Sequence, residues 1–281
     1  MLVAAFEGWN DAGEAASGVI SHLGIEWDAT PIAAMDPEDF YDFQVTRPVV
    51  EMAEGRTERL VWPTTRISVA RPEGVNRDIV LVHGIEPNMR WRSFSEELVT
   101  AFTELDVELV VLLGALLADS PHTRPVPVSA ASSDPKLAAE LNTVSAADYK
   151  GPTGIVGVLA HACKDAGIPA VSLWASVPHY VATPPSPKAT LALLRGVEDL
   201  LDVPLPLADL SEKARAWERG VDELAQQDTE VADYVRTLEE SQDATDLPEA
   251  SGDAIAREFE RYLRRRGNPG GRGGPAAPGP R

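Results

Sequence analysis

Short apolar runs alternate along this chain with stretches whose apolar residues fall on one helical stripe. That alternation restricts the possible folds more than any single motif. Residues 2–6, 31–35, 79–83, 108–114, 126–131 and 170–175 read as strands. Their continuous apolar character, without polar alternation, points to burial on both faces. Residues 59–62 and 66–71, joined through Pro63-Thr64-Thr65, read as a hairpin on the sheet margin. Between the runs, residues 11–23 place Ala15, Ala16, Val19, Ile20 and Leu23 on one stripe, with Gly24 as the stop. Residues 93–105, 153–166 and 187–201 follow the same logic. Strand and helix in turn predict an α/β fold, a three-layer αβα sandwich with a mostly parallel central sheet.

At 281 residues the chain is long for one domain and short for two. The surplus falls at the C-terminal side, where residues 206–266 read as a helical hairpin appended to an α/β body at 1–205. Asp209 and Glu212 form a capping pattern ahead of a long helix to about residue 240. Its stripe of Trp217, Val221, Leu224, Val231, Val235 and Leu238 is interrupted at Asp228. An acidic connection at 241–250 and an amphipathic helix at 252–266 follow, and the Gly/Pro-rich 267–281 reads as a disordered tail.

The net charge of -19 opposes binding to nucleic acid or to an anionic membrane, so neither is expected as a partner. The last eighteen residues invert the sign, with five arginines and no acid. Arg264, Arg265 and Arg266 suit a helix C-terminus. Cys163 is the one cysteine, which rules out an intramolecular disulfide and fits a cytoplasmic protein. The apolar opening at 1–6 is too short for a signal peptide or a membrane span.

Unusual residues gather just after the apolar runs. Glu7, Trp9, Asn10 and Asp11 follow the first; His83, Glu86, Asn88, Arg90 and Trp91 end or follow another. Asp119, His122 and Arg124 lie in a Pro-flanked loop, and His179 and Tyr180 follow residues 170–175. In an open parallel sheet the carboxyl ends of the strands share one border, so these residues are expected to converge on one crevice. Several have plainer roles. Asp11 stands where it caps a helix, as does Ser93 with Glu96, and His83 ends a buried strand. His122, expected to be exposed, is the acid/base candidate. Trp9 and Trp91 either pack over the sheet edge or are presented as anchors to a partner. Gly151, Gly154 and Gly157 match neither the dinucleotide fingerprint nor the P-loop. Cys163 faces an apolar stripe, and neither a paired-histidine zinc motif nor a nucleophile elbow occurs. No catalytic residue, cofactor or metal site is assigned.

Five ordered segments carry a resemblance: residues 6–13 (FEGWNDAG), 83–87 (HGIEP), 114–125 (GALLADSPHTRP), 151–155 (GPTGI) and 172–180 (SLWASVPHY). Together they resemble the proteasome assembly chaperone 2 family in its actinobacterial form. The resemblance implies a phosphorylase/hydrolase-like αβα fold, no established catalytic residue, a protein partner related to the proteasome, and a homo-oligomer, with a trimer favoured by analogy of fold. Relatives that dock into ring pockets carry a penultimate tyrosine, whereas this chain ends Gly279-Pro280-Arg281, so docking through the tail is not expected. The rival expectation is an enzyme of the nucleoside phosphorylase or hydrolase type, or a small-molecule sensor, using the crevice.

Overall fold

The computed structural model describes residues 1–53, 56–141 and 150–246. In chain order it runs β1 (Leu2–Glu7), α1 (Ala15–Glu26), β2 (Thr30–Ala34), α2 (Pro37–Phe40), β3 (Val49–Ala53), β4 (Arg56–Val61), β5 (Arg66–Ala70) and β6 (Ile79–Ile85). It continues through α3 (Trp91–Glu104), β7 (Val110–Ala118), β8 (Val128–Ser132), α4 (Pro135–Glu140), α5 (Ile155–Asp165) and β9 (Ala170–Pro178). The last described elements are α6 (Pro187–Leu201), α7 (Leu210–Gln227) and α8 (Thr229–Asp246). Met1–Glu239 form one compact unit, and Glu240 begins a second. The expected helix at 252–266 and the tail at 267–281 lie outside the described residues.

Seven strands form one sheet in the order β2-β5-β6-β1-β7-β9-β8. β6, β1, β7 and β9 are mutually parallel, and β5 and β8 run against their neighbours. Leu2, Val3, Ala4, Ala5 and Phe6 have no exposed surface, nor have Val110 to Leu113 of β7. Alternate residues of these strands enter two separate cores. Val3, Ala5, Val111 and Leu113 meet α1 and α6 through Val19, Leu23, Leu193 and Leu194. Leu2, Ala4, Phe6 and Leu112 meet α3 and α5 through Phe94, Phe102, Leu159 and Cys163. Phe94 is edge-on to both Phe6 and Phe40, at 5.9 and 5.3 Å between ring centres. Each large side chain buried in this way contributes about 1.5–3 kcal/mol before the cost of ordering it. The three-layer architecture is therefore the one the apolar runs imply.

Departures from expectation occur at the margins. β2 is exposed along its length, because it is an edge strand covered by no helix, and Pro31 is tolerated there. Residues 59–62 do not pair with 66–71. β4 pairs with β3 in a separate two-stranded ribbon, while β5 joins the main sheet between β2 and β6. Gly24 does not stop α1, which continues to Glu26 before Asp28 takes a left-handed φ of 47°. Ser93 lies inside α3, whose N-cap is Arg90 at φ 56°. The anticipated single helix after Asp209 is two, because the Asp228 carboxylate accepts from the amides of Glu230 and Val231 and starts α8 afresh. Leu224 is exposed, and Leu210, Ala214, Val221 and Ala225 form the buried face of α7. Residues 241–246, expected as a connection, continue α8. Among the described residues no helix is long and apolar enough to cross a membrane.

Cys163 sits in the α5 core with no exposed surface, and burial pushes its thiol up to about 11. Because the folded value exceeds the unfolded one, the contribution to stability is whole below the unfolded thiol's value and is lost as pH rises through the folded one. Native protein at pH 8 should therefore resist a thiol reagent that labels the urea-unfolded chain at once, as followed by mass spectrometry.

Candidate functional site

The loops after β1, β6, β7 and β9 all leave the carboxyl border of the parallel strands. Beside them lies a cavity of about 810 Å³, bounded by Gly8 and Trp9 on one side, Pro152 to Gly154 on another and β7 beneath. Its floor depends on Gly114. In register that glycine stands opposite Trp174, and a Cβ there would come within 2.6 Å of the indole. The Trp174 ring can lie across β7 only because Gly114 has no side chain. Gly8, at φ 117°, supplies the turn that carries Trp9 over the cavity mouth, where it is 64% exposed.

Behind the cavity wall the sequence-selected polar residues form a bonded set. Glu86 Oε1 accepts from Asn10 Nδ2 at 2.7 Å and from the Ile155 main-chain N–H at 2.8 Å. Glu86 therefore answers the positive end of α5. Asn10 is 1% exposed, and its main-chain carbonyl accepts from the Ala115 amide at 2.8 Å, tying the loop after β1 to β7. Glu7 Oε1 and His83 Nε2 are 3.3 Å apart, without hydrogen-bond geometry. Asp11 accepts from the amides of Ala16 at 2.7 Å and Ser17 at 3.3 Å, so it caps α1. Burial raises its carboxyl above the usual range, partly offset by those bonds.

Asn88, Arg90 and Trp91 serve a different purpose. Asn88 Oδ1 accepts from Asp42 N at 2.9 Å and Thr46 Oγ1 at 3.0 Å. Arg90 pairs with Asp39 and lies over the Phe40 ring, and the Trp91 indole N–H donates to Pro87 O at 2.6 Å. Asn88 and Arg90 hold the 37–46 segment against the body, and Trp91 closes the turn after β6. Of the two candidate anchors, Trp91 packs and Trp9 is presented.

The expectation that His122 is exposed fails: it is 1% exposed. Its main-chain N–H donates to the Tyr180 hydroxyl at 2.7 Å, and Nδ1 lies 2.7 Å from the same oxygen. Nε2 lies 3.0 Å from Asp222 Oδ1 on α7. Tyr180 donating to Nδ1 and Nε2–H donating to Asp222 satisfies every group. Burial pushes the Tyr180 phenol up to about 12, so it is no nucleophile near neutral pH. Around this core Arg124 pairs with Glu239 at 3.1 Å, and Lys188 with Glu218 at 2.9 Å. Asp119 is held by Tyr234 at 3.2 Å and His179 at 3.3 Å, and the rings of His179, Tyr180 and Tyr234 meet edge to face. Asp119, His122, Arg124, His179 and Tyr180 thus clasp α7 and α8 onto the sheet border. Sequence reading missed Asp222 and Glu239, because nothing local marks an acidic helix residue as the partner of a loop 100 or more positions away, and it missed the pairing of Glu218 with Lys188 between α7 and α6. It also missed Trp174, Ser129 and Ala131 of the cavity, whose strand positions read as core.

Among the described residues no cluster of three or more His, Cys, Asp or Glu suits a metal ion. The model of the PAC2 family matches residues 5–225. This chain belongs to the PAC2 family. A PAC2 family protein from Streptomyces avermitilis is 61% identical, with a TM-score of 0.78 over 83% of this chain and 98% of its own. A Mycobacterium tuberculosis proteasome-assembly chaperone homologue is 56% identical, with a TM-score of 0.77 over 83% of this chain and 99% of its own. At 16% identity an archaeal proteasome activator from Pyrococcus furiosus shares the fold alone, with a TM-score of 0.64 over 79% of this chain and 92% of its own. A search of curated proteins finds no match.

In this PAC2 protein Glu86→Ala leaves Asn10 Nδ2 and the Ile155 amide without their acceptor. It should cost about 1–3 kcal/mol in urea denaturation, with Glu86→Gln costing less. His122→Phe should cost about the same, since it removes the Nδ1 acceptor of the Tyr180 hydroxyl and the Nε2 donor to Asp222 at nearly constant volume.

Proposed function

We propose that this protein is a non-enzymatic, homo-oligomeric interaction protein of the assembly-chaperone type, linked to the proteasome. The observation that carries the reading is the β3–β4 ribbon. Val49, Val50, Met52 and Leu60 on the ribbon and Val45 and Trp62 beside it are all exposed. The ring of Phe43 meets Trp62 edge to face, at 4.9 Å between centres. A two-stranded ribbon is marginal alone, and Val50 with its cross-strand partner Leu60 sets exposed apolar side chains side by side, as on a contact surface. The exposed Arg59–Glu51 pair adds little to its stability.

The mycobacterial relative described as a proteasome-assembly chaperone homologue supports the proteasome as the partner system. A homotrimer remains the favoured assembly by fold analogy, and the net charge of -19 weighs against nucleic acid and anionic lipid as partners. A cytoplasmic place of action fits a single, buried cysteine. The enzyme reading has lost its acid/base, since His122 is sealed beneath α7.

Light scattering on the wild-type chain should give an oligomer, and Val50→Lys with Leu60→Lys should shift it toward monomer with unchanged circular dichroism. Wild-type protein added to purified actinobacterial proteasome α- and β-subunits should change the rate of ring assembly. A monomeric wild type with no effect on that rate would end this reading.

A further inference from the structure

The cavity at the sheet border lies at the point where the chain's crossovers diverge. From β1 the chain travels through β2 and β5 to β6 on one side; from β7 it reaches β9 on the other. In open α/β sheets the crevice outside the carboxyl ends of such a strand pair is the usual ligand site. Gly8, Trp9 and Gly13 after β1, and Ala115 to Leu117 of β7, line this one from the two sides.

Its chemistry is unusually one-sided. Among the described residues the lining has no charged side chain: Trp9, Trp174, Leu116, Leu117 and alanines dominate it, and the hydroxyls of Ser129 and Thr153 are among its polar side-chain groups. Gly154 and Gly157 bring the first turn of α5 to the wall, which would ordinarily attract an anion. Here the Glu86 carboxylate already takes the Ile155 amide at 2.8 Å, so the positive end of the helix is answered from behind. An anionic ligand would meet neither a free cation in the lining nor an uncompensated helix dipole. A cation would lack a carboxylate in the lining.

The shape sets the size. About 810 Å³ lies within the roughly 300–1,000 Å³ of small-molecule sites. Across the floor, Trp174 lies over Gly114, with Ser129 opposite it in register on β8. Leu116, two residues beyond Gly114 on the same face of β7, is 43% exposed. An indole floor and an indole at the mouth offer stacking surfaces to a planar ring. We propose that this cavity is a binding site for an uncharged, planar aromatic small molecule bearing one or two polar substituents. The site is distinct from the ribbon, so a bound molecule occupies the chain without covering its protein-contact surface.

Nile red, an uncharged planar aromatic dye, serves as the probe, read by its own fluorescence and by quenching of tryptophan emission. One saturable site per chain is expected. Leu116→Asp and the cavity-filling Ala131→Phe should each weaken binding at least about tenfold, and Trp9→Ala should weaken it less. Val50→Lys with Leu60→Lys should leave it unchanged, which separates the cavity from the apolar ribbon. 1-Anilinonaphthalene-8-sulfonate, an anionic aromatic probe, should bind at least about tenfold more weakly than Nile red. Leu116 is partly exposed, and circular dichroism with the thermal midpoint confirms that its variant folds. Absence of saturable binding, binding that survives both Leu116→Asp and Ala131→Phe in folded protein, or equal affinity for the sulfonate overturns the proposal. Any of these leaves ribbon-dependent association standing as a separate question.

Discussion

Burial of β1 and β7 on both faces is the constraint from which the rest of the molecule follows. Leu2 to Phe6 and Val110 to Leu113 are fully enclosed, so each face needs its own layer of helices. The chain meets that need by sending α1 and α6 to one side and α3 and α5 to the other. With the strands parallel, each must be followed by a crossover, and every crossover begins at the same border. Polar loop residues from distant parts of the sequence therefore share that border without any attraction between them.

What happens at the border is decided by specific contacts. One carboxylate, Glu86, reaches from the loop after β6 to Asn10 after β1 and to the first turn of α5. That joins three crossovers and leaves an uncharged cavity in front. A few residues along the same border, His122 and Tyr180 are consumed by α7, which brings Asp222 over them. The border is therefore divided in function. One part is closed by helices and contributes stability, and the other stays open and apolar.

Of the fourteen residues selected from sequence for this border, those next to strand ends were placed by a general rule and the structure reports their contacts directly. Their roles were much less legible. His122 in a Pro-flanked loop has the sequence signature of an exposed imidazole, but exposure depends on a helix that begins almost ninety residues later. Trp174 reads as a core strand residue, and its role in the cavity depends on Gly114 leaving room for the ring. The ribbon was misread for a related reason. Residues 59–62 and 66–71 are neighbours in sequence with a plausible turn between them, yet β5 gains more from the main sheet, where β2 and β6 flank it.

By itself the sequence determined the layers: the long apolar runs without alternation at 2–6 and 108–114 are satisfied between two helical faces, and that requirement is local to each run, whereas the run at 31–35 ended at an exposed edge. Ordered segments such as FEGWNDAG and HGIEP likewise carried the family within themselves. Tertiary structure alone decided which border residues are sealed and which are open. Solvent access at a loop is a property of whatever packs over it, and the helices that cover His122 while sparing Trp9 come from a part of the chain whose docking no local pattern encodes.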